Sequence, residues 1–140
     1  MREIYNAILE RLQREVPELR FIDINVGQMD EEDPPVDYPC ALIDIDSIDF
    51  ERQTKGYDKG ECLLDIDLYF LISTTTSSIT PESVRGEAFK HIDTVNKVDR
   101  VLNKFETNDF YPLKRKRFTR LKKYSPRGYR WTYTCRIDQD

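Results

Sequence analysis

The stretch "CLLDIDLYFLI" (residues 62 to 72) decides how this chain is read. Leu64, Ile66, Leu68, Phe70 and Ile72 recur at every second position, and Asp65 and Asp67 fall between them. A period of two places alternate side chains on opposite faces of a β-strand. A second stretch, "ALIDIDSIDF" (41 to 50), has the same pattern, with Ala41, Ile43 and Ile45 on one face and Asp44 and Asp46 on the other. Between them "TKGYDKGE" (54 to 61) carries two glycines and an aspartate, which suits the tip of a long β-hairpin.

The aspartates could serve a divalent cation for phosphoryl chemistry. Such a site needs partner groups, and the chain contains no Glu-x-Lys sequence and no Walker-type glycine loop. The plainer expectation is the wet face of an antiparallel sheet, with isoleucines inward and aspartates outward. Arg130 and Arg136 are then the expected cross-strand partners, each pair contributing about 0.2–1 kcal/mol.

Outward from these strands the remaining elements follow. Residues 2 to 15 predict a helix, because Ile4, Tyr5, Ile8, Leu9 and Leu12 follow helical spacing and Pro17 ends it. "RFIDINV" (20 to 26) predicts a short strand with Ile22, Ile24 and Val26 on one side. "GQMDEEDPPVDYP" (27 to 39) is a loop by composition and is expected to be a solvated connection. Thr80-Pro81 predicts a helix start, and the helix is expected to run to about Phe105, its apolar stripe passing through Val84, Ala88, Ile92, Val95, Asp99 and Leu102. "KRFTRLKKY" (116 to 124), the turn "SPRG" and the alternating "YRWTYTCRI" (129 to 137) close the chain with a second hairpin. The expected fold is a single α+β domain over residues 1–140, in the order α-β-β-β-α-β-β. About five mostly antiparallel strands pack against an N-terminal helix and one long helix.

The chain has 140 residues, enough for a core without a covalent or metal staple. Cys40, Cys62 and Cys135 form no CxxC pair, so they read as small buried hydrophobes in a reducing compartment. The longest apolar run, "LYFLI", is too short to span a membrane, and the charged, amphipathic N-terminus does not look like a signal peptide. His91 is the single histidine, and no nucleophile, base and orienting group can be assembled around it from sequence. The expectation is a protein without catalytic activity, cofactor or metal.

The net charge of -4 conceals two poles. Residues 23 to 67 hold 14 acids against 3 bases, and residues 113 to 140 hold 10 bases against 2 acids. Seven of those bases lie between Lys114 and Lys123. Clustered cations can bind a nucleic-acid backbone, here with Tyr124, Tyr129 and Trp131 as stacking rings. The acidic whole chain argues against that, and a charged strand edge or a surface for an acidic partner is the favoured reading.

In its order of elements the chain resembles the tail terminator (tail completion) proteins of long-tailed phages. The resemblance rests on the helix "IYNAILERLQ", the Tyr38-Pro39 step into "CALIDI", the long hairpin ending in "LLDIDLYFLI", the long helix, and the aromatic strand "GYRWTYTCRI". The acidic "DEEDPP" segment departs from it. The resemblance implies a homo-oligomeric ring, usually a hexamer on the tail, whose subunits can be monomers in solution. Its implied partners are the tail tube protein and a head-side connector, with no membrane and with nucleic acid not favoured. Its implied location is the virion tail, and the host cytoplasm during assembly. The expected interface residues are Asp30, Glu31, Glu32 and Asp33 in the acidic loop, and Tyr57, Asp58 and Lys59 at the hairpin tip. Lys114, Arg115, Lys116, Arg117, Arg120, Lys122 and Lys123 complete the set on the basic stretch.

Overall fold

In the computed structural model, residues 1–53, 56–72, 80–122 and 125–139 are described. The chain forms α1 (Arg2–Glu15), β1 (Phe21–Ile24), β2 (Cys40–Arg52), β3 (Asp58–Phe70), α2 (Pro81–Leu102), β4 (Lys114–Lys122) and β5 (Arg127–Gln139), with a 3-10 turn at Gln28–Asp30. The strands make one sheet in the order β1-β2-β3-β5-β4. The short β1 runs parallel to β2, and every other neighbouring pair is antiparallel. The α+β class and the element order are those the sequence predicts.

Both helices cover one face. Ile4, Ile8 and Leu12 of α1 and Val95, Val98 and Leu102 of α2 meet the inward rows Ala41/Ile43, Leu64/Ile66/Leu68/Phe70 and Tyr129/Trp131/Tyr133 in one buried cluster. Each fully buried aliphatic side chain there stabilises the fold by about 1.5–3 kcal/mol. The alternation survives a defect in β2, where the register against β3 slips between Ile45 and Ser47. Asp46 is the extra residue of this bulge. Ile45 and Ile48, three apart in sequence, therefore both pack against the core.

Three sequence expectations are corrected. The stripe of α2 is buried only in its second half, at Thr94, Val95, Val98, Asp99 and Leu102, whereas Val84, Phe89 and Ile92 are exposed. The start of α2 is held by local chemistry instead: the Thr80 and Ser83 side chains each accept a backbone N–H of the other, with Pro81 at the first helical position. The helix stops at Leu102 and not near Phe105, because Asn103 is extended and Lys104 takes a left-handed backbone conformation. The first strand ends at Ile24. Gln28 folds back there, its Oε1 accepting from Val26 N at 2.9 Å and its Nε2 donating to Ile24 O at 3.0 Å, which leaves Val26 exposed.

The acidic loop is also more than a solvated connection. Met29, Val36 and Tyr38 pack with Phe21 and Leu121 onto Cys40, Leu42 and Tyr69, on the sheet face opposite the helices. Asp30, Glu31, Glu32, Asp33 and Asp37 stay exposed above this anchor.

Candidate interaction surfaces

The aspartates of β3 point away from the helices, as their spacing predicts, but not into water. Asp67 is 2% exposed. Strand pairing sets it opposite Arg130. Arg130 grips it with a two-toothed contact, Nε to Oδ1 at 2.7 Å and Nη2 to Oδ2 at 2.9 Å. Burial pushes the Asp67 carboxyl above its ordinary value, and Arg130 works against that shift. Donating these hydrogen bonds to Asp67 in turn holds Arg130 firmly cationic. Asp65 accepts from Thr132 Oγ1 at 2.7 Å and lies 3.8 Å from Arg130 Nε.

Asp44 and Asp46 on β2 are placed differently. Asp44 lies opposite Asp65. Its carboxyl is raised by burial and by repulsion from Asp46 and Asp65, against the pull of Arg130. Asp46 sits exposed in the bulge. Among the described residues, no three His, Cys, Asp or Glu side chains are grouped as a metal ion would need. The acids form a charge ladder running across the sheet, with the Arg130 guanidinium set against Asp67 and near Asp65.

Arg136, the other expected partner, does not reach them. It faces Glu61 in register, donates to Asp138 at 3.0 Å and lies over the Tyr111 ring. Alternation gave its face correctly, but not its level along the strand.

A second polar cluster went unread. Asp99 of α2 accepts from Tyr133 Oη at 2.8 Å and from Arg115 Nη1 at 2.6 Å. Arg115, expected at an interface, is thus engaged within the molecule and fastens β4 to α2. The signal was an aspartate in an apolar helical stripe opposite an inward tyrosine. Trp131 Nε1 donates to Val95 O at 2.9 Å. His91 stacks on Phe70 with ring centroids 4.6 Å apart, and burial lowers its pKa.

Two of the three stacking rings invoked for nucleic acid lie in the core. Tyr129 is 7% and Trp131 9% exposed, while Tyr124 and Lys123 lie outside the described residues. The basic stretch itself is β4, an edge strand of the sheet. Lys114, Lys116, Arg117, Arg120 and Lys122 are exposed, and none has an ion-pair partner among the described residues. At the far end of the hairpin, Asp58 and Lys59 already belong to β3, and Tyr57 O closes the turn by accepting from Gln53 N at 3.0 Å.

The two charge poles therefore occupy opposite sides of one sheet. β2 is acidic and β4 is basic, while the acidic loop before β2 lies over the sheet face, where its Met29, Val36 and Tyr38 share a cluster with Leu121 of β4. Among the described residues, acids of the first pole pair with a base of the second at the seam between β3 and β5. No protein-family model matches the chain, and no curated protein matches it.

Proposed function

We propose that the chain is a structural subunit of a phage or prophage-derived tail. It forms a ring that caps the tail tube and joins it to the head. The observation that carries this reading is the segregation of charge to opposite sides of the sheet, acidic on β2 beyond the end of β1 and basic on the edge strand β4. A cyclic ring is built from heterologous contacts, in which one surface of a subunit meets a different surface of the next. Opposite charges on those surfaces steer and orient that contact. The element order is also that of the tail terminator proteins the sequence resembles. In this reading the ring acts by occupying the last ring of the tube and blocking further addition.

The test is tube growth. Tail tube protein polymerised with this chain present should give tubes with a ring at one end and a shortened length distribution by negative-stain electron microscopy. Bare ends and unchanged lengths would count against the reading.

Nucleic-acid binding is the second reading, favoured by the five exposed cations of β4 that have no ion-pair partner among the described residues. It predicts DNA binding that weakens steeply with salt. Absence of binding at low salt would remove it.

A further inference from the structure

Each side of the sheet, β2 beyond the end of β1 and β4, presents a half-exposed phenylalanine beside charges mostly of one sign. On β2 it is Phe50, 52% exposed, between Asp49 and Glu51, with Asp46 four residues before it and Arg52 two residues after it. On β4 it is Phe118, 47% exposed, between Arg117 and Thr119, with Lys116 and Arg120 close by. Strand pairing sets Phe50 opposite Gly60 and Phe118 opposite Trp131, whose neighbours in register face the helices, so both rings stand on the helix side of the sheet.

Neither ring hangs free. A Cβ at Gly60 would lie 3.1 Å from Phe50 Cε1, so the missing side chain lets the ring lie flat over the strand. Phe118 stacks on Tyr129 at 5.9 Å and tilts over Trp131 at 4.8 Å. Together with Ile92 of α2, these rings wall an open groove of about 390 Å³ rimmed by Arg120 and Arg127. Phe89, about one helical turn before Ile92 on α2, is exposed as well. An apolar groove fits an aromatic knob, and this chain carries one on its other edge, with Asp49 and Glu51 next to it in the strand on the opposite face.

The backbones permit the same contact. Among the described residues, no strand pairs with β2 beyond Ile43 on its outer side, and none pairs with the outer side of β4. β2 and β4 run in opposite directions within the sheet, so a neighbour in the same orientation presents β2 to β4 as an antiparallel partner. Bringing Phe50 level with Phe118 displaces the neighbour along the strands by about six residues, roughly 20 Å.

We propose that the acidic edge of one copy, centred on Phe50 with Asp46, Asp49 and Glu51, docks on the basic edge of a second copy. Phe50 enters the groove between Phe118, Ile92 and Trp131, and the carboxylates meet Lys116, Arg117 and Arg120. The contact is head-to-tail and leaves one edge of each kind free at either end. This deepens the ring reading and rests on it.

The test is a charge exchange, read by native mass spectrometry and by ring formation on tail tubes. One variant reverses the acidic edge, Asp46→Lys, Asp49→Lys and Glu51→Lys. The other reverses the basic edge, Lys116→Glu, Arg117→Glu and Arg120→Glu. Each alone should lose association at least tenfold. Mixed together they should associate again, because copies with two basic edges alternate with copies with two acidic edges. Circular dichroism and a thermal melt establish that each variant is folded. As a readout independent of charge, Phe50→Cys and Phe118→Cys proteins mixed under mild oxidation should give a crosslinked heterodimer, and Phe50→Cys alone should not. Wild-type association that survives either reversal overturns this interface but leaves the ring reading standing. A wild-type chain that never associates, in solution or on tubes, and gives no crosslink overturns both.

Discussion

The two Asp-Ile-Asp triplets are the same words in different surroundings. On β3 the triplet lies in the middle of the sheet, and β5 supplies Arg130 and Thr132 to its two carboxylates. On β2 the triplet lies where β1 has already ended, with no cation among the described residues paired to it from that side and with Asp65 as its neighbour. Asp67 is buried and paired, whereas Asp46 is exposed in a bulge. An aspartate in a strand is thus structural or surface according to what the next strand brings, and the triplet does not decide it.

The largest break of this comparison is Arg130→Ala. It leaves Asp67 buried without its cation, and about 3 kcal/mol of stability should be lost, the low end for breaking a buried pair because Arg130 is partly exposed. The loss should be greater at pH 7 than at pH 4.5, where Asp67 can take up a proton, and urea unfolding at both pH values measures it. An equal loss at both would show that the carboxylate is not what suffers. Replacing both partners, Asp67→Leu with Arg130→Met, should recover most of that stability, because neither charge is then stranded. Thr132→Val removes one hydrogen bond from Asp65 and should cost about 1 kcal/mol in the same assay.

On β2 the effects should be smaller and of opposite sign. The folded pKa of Asp44 is raised, so the folded state binds its proton more readily than the unfolded state does. Its contribution therefore favours folding below the ordinary carboxylate range and is lost as pH rises through the raised value. Asp44→Asn should stabilise at pH 7 by about 0.2–1 kcal/mol, and the gain should vanish near pH 4. Asp46→Asn should change stability by less than about 0.5 kcal/mol at either pH. A cost of several kcal/mol at Asp46 would mean the two triplets are alike after all.

Much of the fold was legible because period and punctuation are local. The strand faces of Leu64 to Phe70 and Tyr129 to Ile137, the Thr80-Pro81 start and the element order all follow from neighbours in sequence. Level along a strand is not local. Arg130 and Arg136 share a face, but only the register between β3 and β5 sets Arg130 at Asp67 and carries Arg136 past to Glu61. The bulge at Asp46 escaped for the same reason, since it exists only relative to β3. The helical period of α2 could not say that its first half has no sheet beneath it. The roles of Asp99 and of the loop's Met29 and Val36 depend on what packs beside them. Of the surfaces, the charge poles were plain in the sequence, and the exposed pair Phe50 and Phe118 was not.

The sheet order has a consequence for how the molecule comes to exist. β5 is the last of the five strands along the chain, yet it takes an interior place between β3 and β4. Its partners on β3 are 57 to 81 residues earlier. Until β5 arrives, β3 is an open edge carrying Leu64, Ile66 and Leu68, the kind of strand that recruits wrong partners. The central seam forms only by closing long loops, which slows folding. A ribosome releasing this chain thus delivers the keystone after the arch, and a truncation that removes β5 strips out the middle of the sheet and leaves β4 with nothing to pair with.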